Sequence, residues 1–302
     1  MGTKRLGLAR VQALIENLKR DINLSNSSLL NGILRKKAGD AGTQEDTTFI
    51  VGRNAVGQDG TAIDPYAVSS TQQFPLGALL VYNDREYRYA KAGATIPAGN
   101  VCQTRLKAHA TNHLDLDCAA APIGATTVAV ETAGTNIVAN EYAGGYLYVN
   151  DGTGEGLAYK VKSHPAHVHA TDATCVITLY DPIKVALVAS GTSKVSLAHN
   201  KYEKIIKAPG TSPLTGEVVG VASSVLASGN YFWLQVKGPA AVLVSGTVVI
   251  GDSVCVTISG GTAGAVIARA ADGAAQRVSR SVGQVMQVNA STDYALIDLM
   301  FE

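Results

Sequence analysis

Long apolar runs, aromatic side chains and charge of a single sign are all scarce in this sequence. No run approaches the roughly 20 apolar residues that a membrane-spanning helix needs. The opening MGTKRLGLAR lacks the apolar core of a signal peptide. A protein made and kept in the cytoplasm, away from membranes, is therefore expected. Charged residues make up 16% of the chain and aromatics 6%, whereas soluble domains average about 25% charged. A surface so weakly charged suits a protein that buries much of its outside against neighbours. The formal charge of +1 supplies no global pull toward nucleic acid. Four cysteines, Cys102, Cys118, Cys175 and Cys255, are too few and too scattered for a disulfide framework. Val101 and Val254 precede two of them in apparent strands, which points to small buried side chains. A Cys102–Cys255 bond would require those two strands to be neighbours.

Catalytic signatures are missing as well. There is no Gly-X-Ser-X-Gly elbow, no Gly-X-X-X-X-Gly-Lys-Ser/Thr run, no His-Glu-X-X-His and no Cys-X-X-Cys. The run from Asp151 to Gly156, DGTGEG, is glycine-rich. A phosphate cradle, however, opens a helix, and apparent strands flank this run on both sides. These absences, joined to low charge and few aromatics, point away from an enzyme and away from any cofactor.

What the sequence does contain is 31 glycines and many short runs of Ala, Val, Thr and Ser, a composition for strands joined by tight turns. Strands are expected at 48–51, 77–82, 87–91, 100–104, 127–132, 145–150, 156–163, 175–179, 185–188, 218–221, 231–236, 241–244, 252–258, 283–288 and 295–299. Asn83-Asp84 and Asp151-Gly152 mark hairpins. Spacing near ten residues favours sandwiches or barrels over βαβ units. Two stretches, from Gly77 and from Gly220, share a Gly-led strand, an aromatic strand ending in Lys and a Val-Cys strand ending in Thr. That likeness, if more than chance, implies one β domain in two halves, 49–120 and 208–302, separated by an inserted β-rich domain over 121–207.

Residues 1–48 form an arm. Leu8, Val11, Ile15, Leu18 and Ile22 recur at spacings of three, four, three and four, an apolar seam on a helix over about 5–24. A seam this short needs cover from the chain's own body, a second copy or another protein, because isolated short helices are marginal in water. Basic residues Lys4, Arg5, Arg10, Lys19, Arg20, Arg35, Lys36 and Lys37 crowd the same arm, yet no aromatic precedes Phe49. Nucleic-acid binding normally brings interleaved aromatics, so a protein-docking arm is expected. The fold expected overall is all-β, sandwich or barrel domains behind an N-terminal helical arm.

The densest group of candidate ligands is His164, His167 and His169. Two histidines two apart on a strand face the same way and could share a metal, with Asp172 and Asp181 near in sequence. Pro165 and the polar run that follows argue instead for a solvated loop, so no metal is assigned. His109 and His113, with Asp115 and Asp117, fit an alternating strand whose Leu114 and Leu116 point inward.

The opening block MGTKRLGLARVQALIENLKRDINL resembles that of virion structural proteins from tailed phages, especially phages of cyanobacteria. The segments GGYLYVNDGTGEGLAYKVKSHPA, TLYDPIKVAL, SKVSLAHNKY and YFWLQVKGPAAVLVSGTVVIGDSV are similar to the same proteins. The resemblance implies a head decoration (cement) protein. Such proteins are β-rich, bind the outside of the capsid lattice, have the major capsid protein as partner and are commonly homotrimers. It places the protein on the virion surface and implies no catalytic residues. Leu8, Arg10, Val11, Ile15, Leu18, Lys19, Arg20, Ile22, Arg35, Lys36 and Lys37 would then be the capsid-binding residues. Other readings remain open: a tail or fibre component, or a glycan-binding module using Trp233 and some of the 12 tyrosines.

Overall fold

A computed structural model describes residues 50–51, 63–105, 113–132, 134–189, 191–210, 214–257, 260–269, 280–288 and 293–302. The helix expected over 5–24 and its linker lie outside the described residues. Among the described residues the protein is all-β, with 18 strands and no helix.

Six strands from the middle of the chain make one sheet, in the order β6 (Leu116–Asp117), β11 (Ser193–Ala198), β8 (Tyr146–Gly152), β9 (Ala158–Ser163), β10 (Cys175–Leu179) and β7 (Thr127–Val130). Every neighbouring pair is antiparallel. Cys118 bridges Val130, and Glu131 N–H donates to Asp117 O at 2.8 Å. The two ends of the sheet therefore meet, and it rolls around its own core. Leu147 and Val149 of β8, Tyr159 and Val161 of β9, and Cys175, Ile177 and Leu179 of β10 alternate with more exposed neighbours and fill that core.

The other twelve strands form the larger sheet. Its spine runs β1 (Ile50–Val51), β3 (Leu79–Tyr82), β4 (Arg85–Lys91), β14 (Tyr231–Leu243), β18 (Tyr294–Met300), β17 (Ser281–Gln287), β15 (Ser253–Val256) and β16 (Val266–Ala268). Three further strands, β5 (Val101–Gln103), β12 (Ile206–Lys207) and β13 (Val218–Ala222), branch from β14 through β13, and β2 (Val68–Ser69) pairs β14 directly. Leu116–Asp117, expected before the insertion, pairs in the six-stranded sheet, and Ile206–Lys207, expected inside it, pairs in the larger one.

Two runs expected as separate strands, 231–236 and 241–244, are one strand of 13 residues through Val236–Gly238. Gly238 has φ +81°, and a Cβ there would lie 2.4 Å from Asp84 O. The buried Gln235 amide nitrogen lies 2.9 Å from Pro239 O and 3.3 Å from Lys237 O and Gly238 O, so its two N–H groups are shared among three carbonyls of the irregular stretch. β14 can thus pair β4 along its first half and β18 along its second. The expected strand at 185–188 is reduced to a single bridge, Ala121 with Leu187. At Asp151-Gly152 the hairpin exists, but its tip lies at 153–156, because both residues still pair with Ser193 and Lys194.

A clasp ties the two halves of the larger sheet. Residues 92–100 and 222–230 share the pattern Ala-X-X-X-(Ile/Leu)-X-X-Gly-Asn and bond to each other reciprocally. Ile96 and Leu226 exchange N–H···O bonds of 3.0 and 2.9 Å. Ala92 N–H donates to Asn230 O at 2.8 Å, and Ala222 N–H to Asn100 O at 3.0 Å. Gly229 N–H donates to Ala92 O and Gly99 N–H to Ala222 O, at 2.8 and 2.7 Å. The internal likeness therefore lies in these turns, displaced from the aromatic strands by which the sequence aligns Gly77 with Gly220.

Candidate functional site at the joint between the sheets

The chain passes between the two sheets twice, between Arg105 and His113 and through 199–205. Arg105 stands on the first crossing, and His199 and Glu203 stand on the second. Glu141 and Tyr142 belong to the turn that leads into β8. Arg105 donates to Glu203 at 2.8 Å and lies 3.5 Å from Glu141. His199 Nε2 lies 3.3 Å from the same Glu141 oxygen, and a carboxylate only accepts, so Nε2 carries the proton. Val138 N–H donates to the other Glu141 oxygen at 3.2 Å. The His199 bond, the Val138 amide and the Arg105 charge together outweigh burial and hold the Glu141 carboxyl down to about 2.

Beneath this ionic layer the joint is aromatic. The Tyr142 ring stacks on His199 with centroids 4.3 Å apart, and its buried hydroxyl meets His113 Nδ1. Burial pushes the Tyr142 phenol up, so it stays protonated. The Tyr142 backbone N–H donates to His164 Nε2 at 3.0 Å, and His164 Nδ1 donates to Pro165 O at 2.9 Å. Asn140, at φ +59°, exchanges two further bonds with His164: its N–H donates to His164 O and its Oδ1 accepts from His164 N–H, both at 3.1 Å. The second crossing is also pinned to the chain's last residue. Tyr202 donates to Glu302 at 2.7 Å, as does Arg88 Nε at 2.9 Å. Burial would raise the Glu302 carboxyl, but these two donors hold it below the usual range.

His164, His167 and His169 are not brought together. His164 is committed to the joint. His167 is buried, with Nε2 2.6 Å from Thr132 Oγ1, while His169 is exposed in the following turn. Among the described residues no group of three His, Cys, Asp or Glu side chains could hold a metal ion. His113 is buried against Tyr142, and His109 lies outside the described residues. The four cysteines are buried and free, and burial pushes the Cys102 thiol up to about 12 and that of Cys175 to about 11. Trp233 is buried in a cluster with Phe74 and Tyr89, ring centroids 5.1 and 5.0 Å away, and offers no exposed platform. Strands flank the 153–156 turn on both sides.

The proposed arm contacts, Leu8, Arg10, Val11, Ile15, Leu18, Lys19, Arg20, Ile22, Arg35, Lys36 and Lys37, lie outside the described residues. Sequence reasoning missed Arg105, Glu141 and Glu203, since no motif marks them. The one local signal is Asn140-Glu141-Tyr142, three side chains capable of hydrogen bonding in a stretch that otherwise lacks strand pattern.

The outer face of β18 is the other unusual surface. Tyr294, Leu296 and Met300 are exposed along it, interrupted by Asp298. Met286 on β17 is exposed too, as are Val249 and Ile250, whose turn joins β17 through Gly251 N–H to Val285 O at 2.9 Å. No helix among the described residues is long and apolar enough to cross a membrane. Comparisons with protein-family models, with curated proteins and with solved structures find no match to this chain.

Proposed function

We propose that this chain is a capsid decoration protein that binds the outside of a tailed-phage head lattice as a homotrimer, with the major capsid protein as its partner. The observation that carries the reading is the resemblance of residues 1–24, 144–166, 178–187, 193–202 and 231–254 to virion structural proteins of such phages. Two features are in keeping with it. A weakly charged, all-β body with apolar side chains exposed on β18 and β17 suits a protein that gains stability from packing against neighbours. An arm with an apolar seam and a basic rim would add contacts across boundaries between shell subunits. Three copies acting together would multiply modest contacts into firm attachment.

The test is mass by light scattering of the purified protein, followed by sedimentation with undecorated heads. A trimer that travels with heads up to a saturating stoichiometry is expected, and removal of residues 1–45 should abolish that binding while leaving the β body folded. A monomer that stays behind in the supernatant overturns the reading.

A further inference from the structure

The joint between the sheets contains a histidine whose two ring nitrogens both have defined work. His164 Nε2 accepts the Tyr142 backbone N–H at 3.0 Å, so that nitrogen bears no proton. Nδ1 faces Pro165 O at 2.9 Å, so the proton is there. The bonded geometry therefore requires the neutral ring. We propose that the joint is an acid-sensitive latch: neutral His164 holds the Glu141–Tyr142 turn against Arg105 and His199, and protonation of His164 releases it.

The release follows from donor counting. A second proton on His164 converts Nε2 into a donor aimed at another donor, the Tyr142 N–H, inside a buried site. Ring and turn must separate. The turn carries Glu141, which accepts from His199 and lies beside Arg105, and Tyr142, whose ring stacks on His199. Moving it therefore uncouples the six-stranded sheet from both crossings.

The other charged and titratable groups around the turn do not supply the same switch. Glu141 is held far into the acid range, so it stays ionised at mild acidity. Arg105 is always charged. Glu203 is paired with Arg105 and, at 3.7 Å, with Lys204. Protonated His199 keeps its bond to Glu141, since Nε2 is already the donor there. His113 meets the Tyr142 hydroxyl, which can donate or accept and so adapts to either state of the ring. Burial lowers the His164 pKa in the latched state, so the latch is at full strength above the ordinary histidine range and weakens as pH falls through that range toward the lowered value.

Hydrogen exchange of the full chain, measured by mass spectrometry on the peptide spanning 138–145 and corrected for intrinsic rates, tests the latch. Between pH 7.5 and 5.0 the wild-type peptide should lose protection by about tenfold or more. His164→Gln, whose amide oxygen can accept from Tyr142 without titrating, should hold its protection across that range, while His199→Gln should respond like wild type. Equal protection of the wild type at both pH values overturns the proposal, as does a pH response that survives His164→Gln or disappears with His199→Gln. Should His164→Gln fail to fold, an NMR titration of the wild type replaces it. The Tyr142 amide shift must then follow the His164 ring, and a Tyr142 shift that follows His199 instead overturns the latch.

Discussion

Three donors converge on Glu141: the His199 ring, the Val138 amide and the Arg105 guanidinium. A group whose pKa falls on folding adds stability that is complete above its unfolded value and fades as pH drops through its folded value. For Glu141 that window runs from the ordinary carboxylate range down to about 2. Glu141→Gln keeps the shape but loses the charge, leaving Arg105 and His199 facing a weaker acceptor. It should cost about 1–3 kcal/mol near neutral pH, the scale of a charge-assisted hydrogen bond, and should flatten the acid limb of stability. Urea unfolding at steps from pH 7 to pH 2 checks both, and a variant with the wild-type acid limb would show that other carboxylates set it. None of this was legible in the sequence, because Arg105, Glu141 and Glu203 are separated by 36 and 62 residues and meet only through the crossings. His164 stood out in sequence for a different reason, its two neighbouring histidines, and apart from the adjacent Pro165 its partners, Asn140 and Tyr142, lie more than 20 residues away.

At the level of elements, the clasp makes a sharper test than any single strand, because two of its glycines share a backbone conformation but not a neighbourhood. Gly99 and Gly229 have φ +73° and +87°. A Cβ on Gly229 would meet nothing within 4 Å, whereas one on Gly99 would lie 2.5 Å from Tyr294 Cε1 and 2.9 Å from Ala241 O. Gly229→Ala should therefore cost only the left-handed penalty, about 1–2 kcal/mol, and Gly99→Ala clearly more, by denaturant midpoint. Equal losses would mean that the Tyr294 ring and the β14 backbone yield freely. Most strands were legible where alternation was clean, as in β8 to β10. β11 was not, since Ser193 and Ser196 are buried beside Val195 and Leu197 and blur the period. The internal repeat was misaligned for a related cause: strands rich in Val and Gly resemble one another by composition, while the turn residues that fix the correspondence are few.

Across the whole molecule, the apolar cores separate by sheet. The core of the six-stranded sheet draws only on residues between Leu116 and Leu197. The clusters of the larger sheet draw on residues outside that span. Between them the joint is ionic and aromatic, a boundary of the kind that couples domains loosely. The chain also carries its own reporter, since Trp233 is the sole tryptophan and packs in the larger sheet beside Phe74 and Tyr89. Ile177→Ala empties a fully buried position of the other core and should cost that sheet about 2–5 kcal/mol. On heating, circular dichroism should then lose part of its β signal at a lower temperature than wild type, while the Trp233 fluorescence transition stays where it was. If both probes shift together, the ionic joint binds the two sheets into one cooperative unit. In that case Glu141→Gln combined with Ile177→Ala should separate them, because the joint is the described contact through which the loss could be shared.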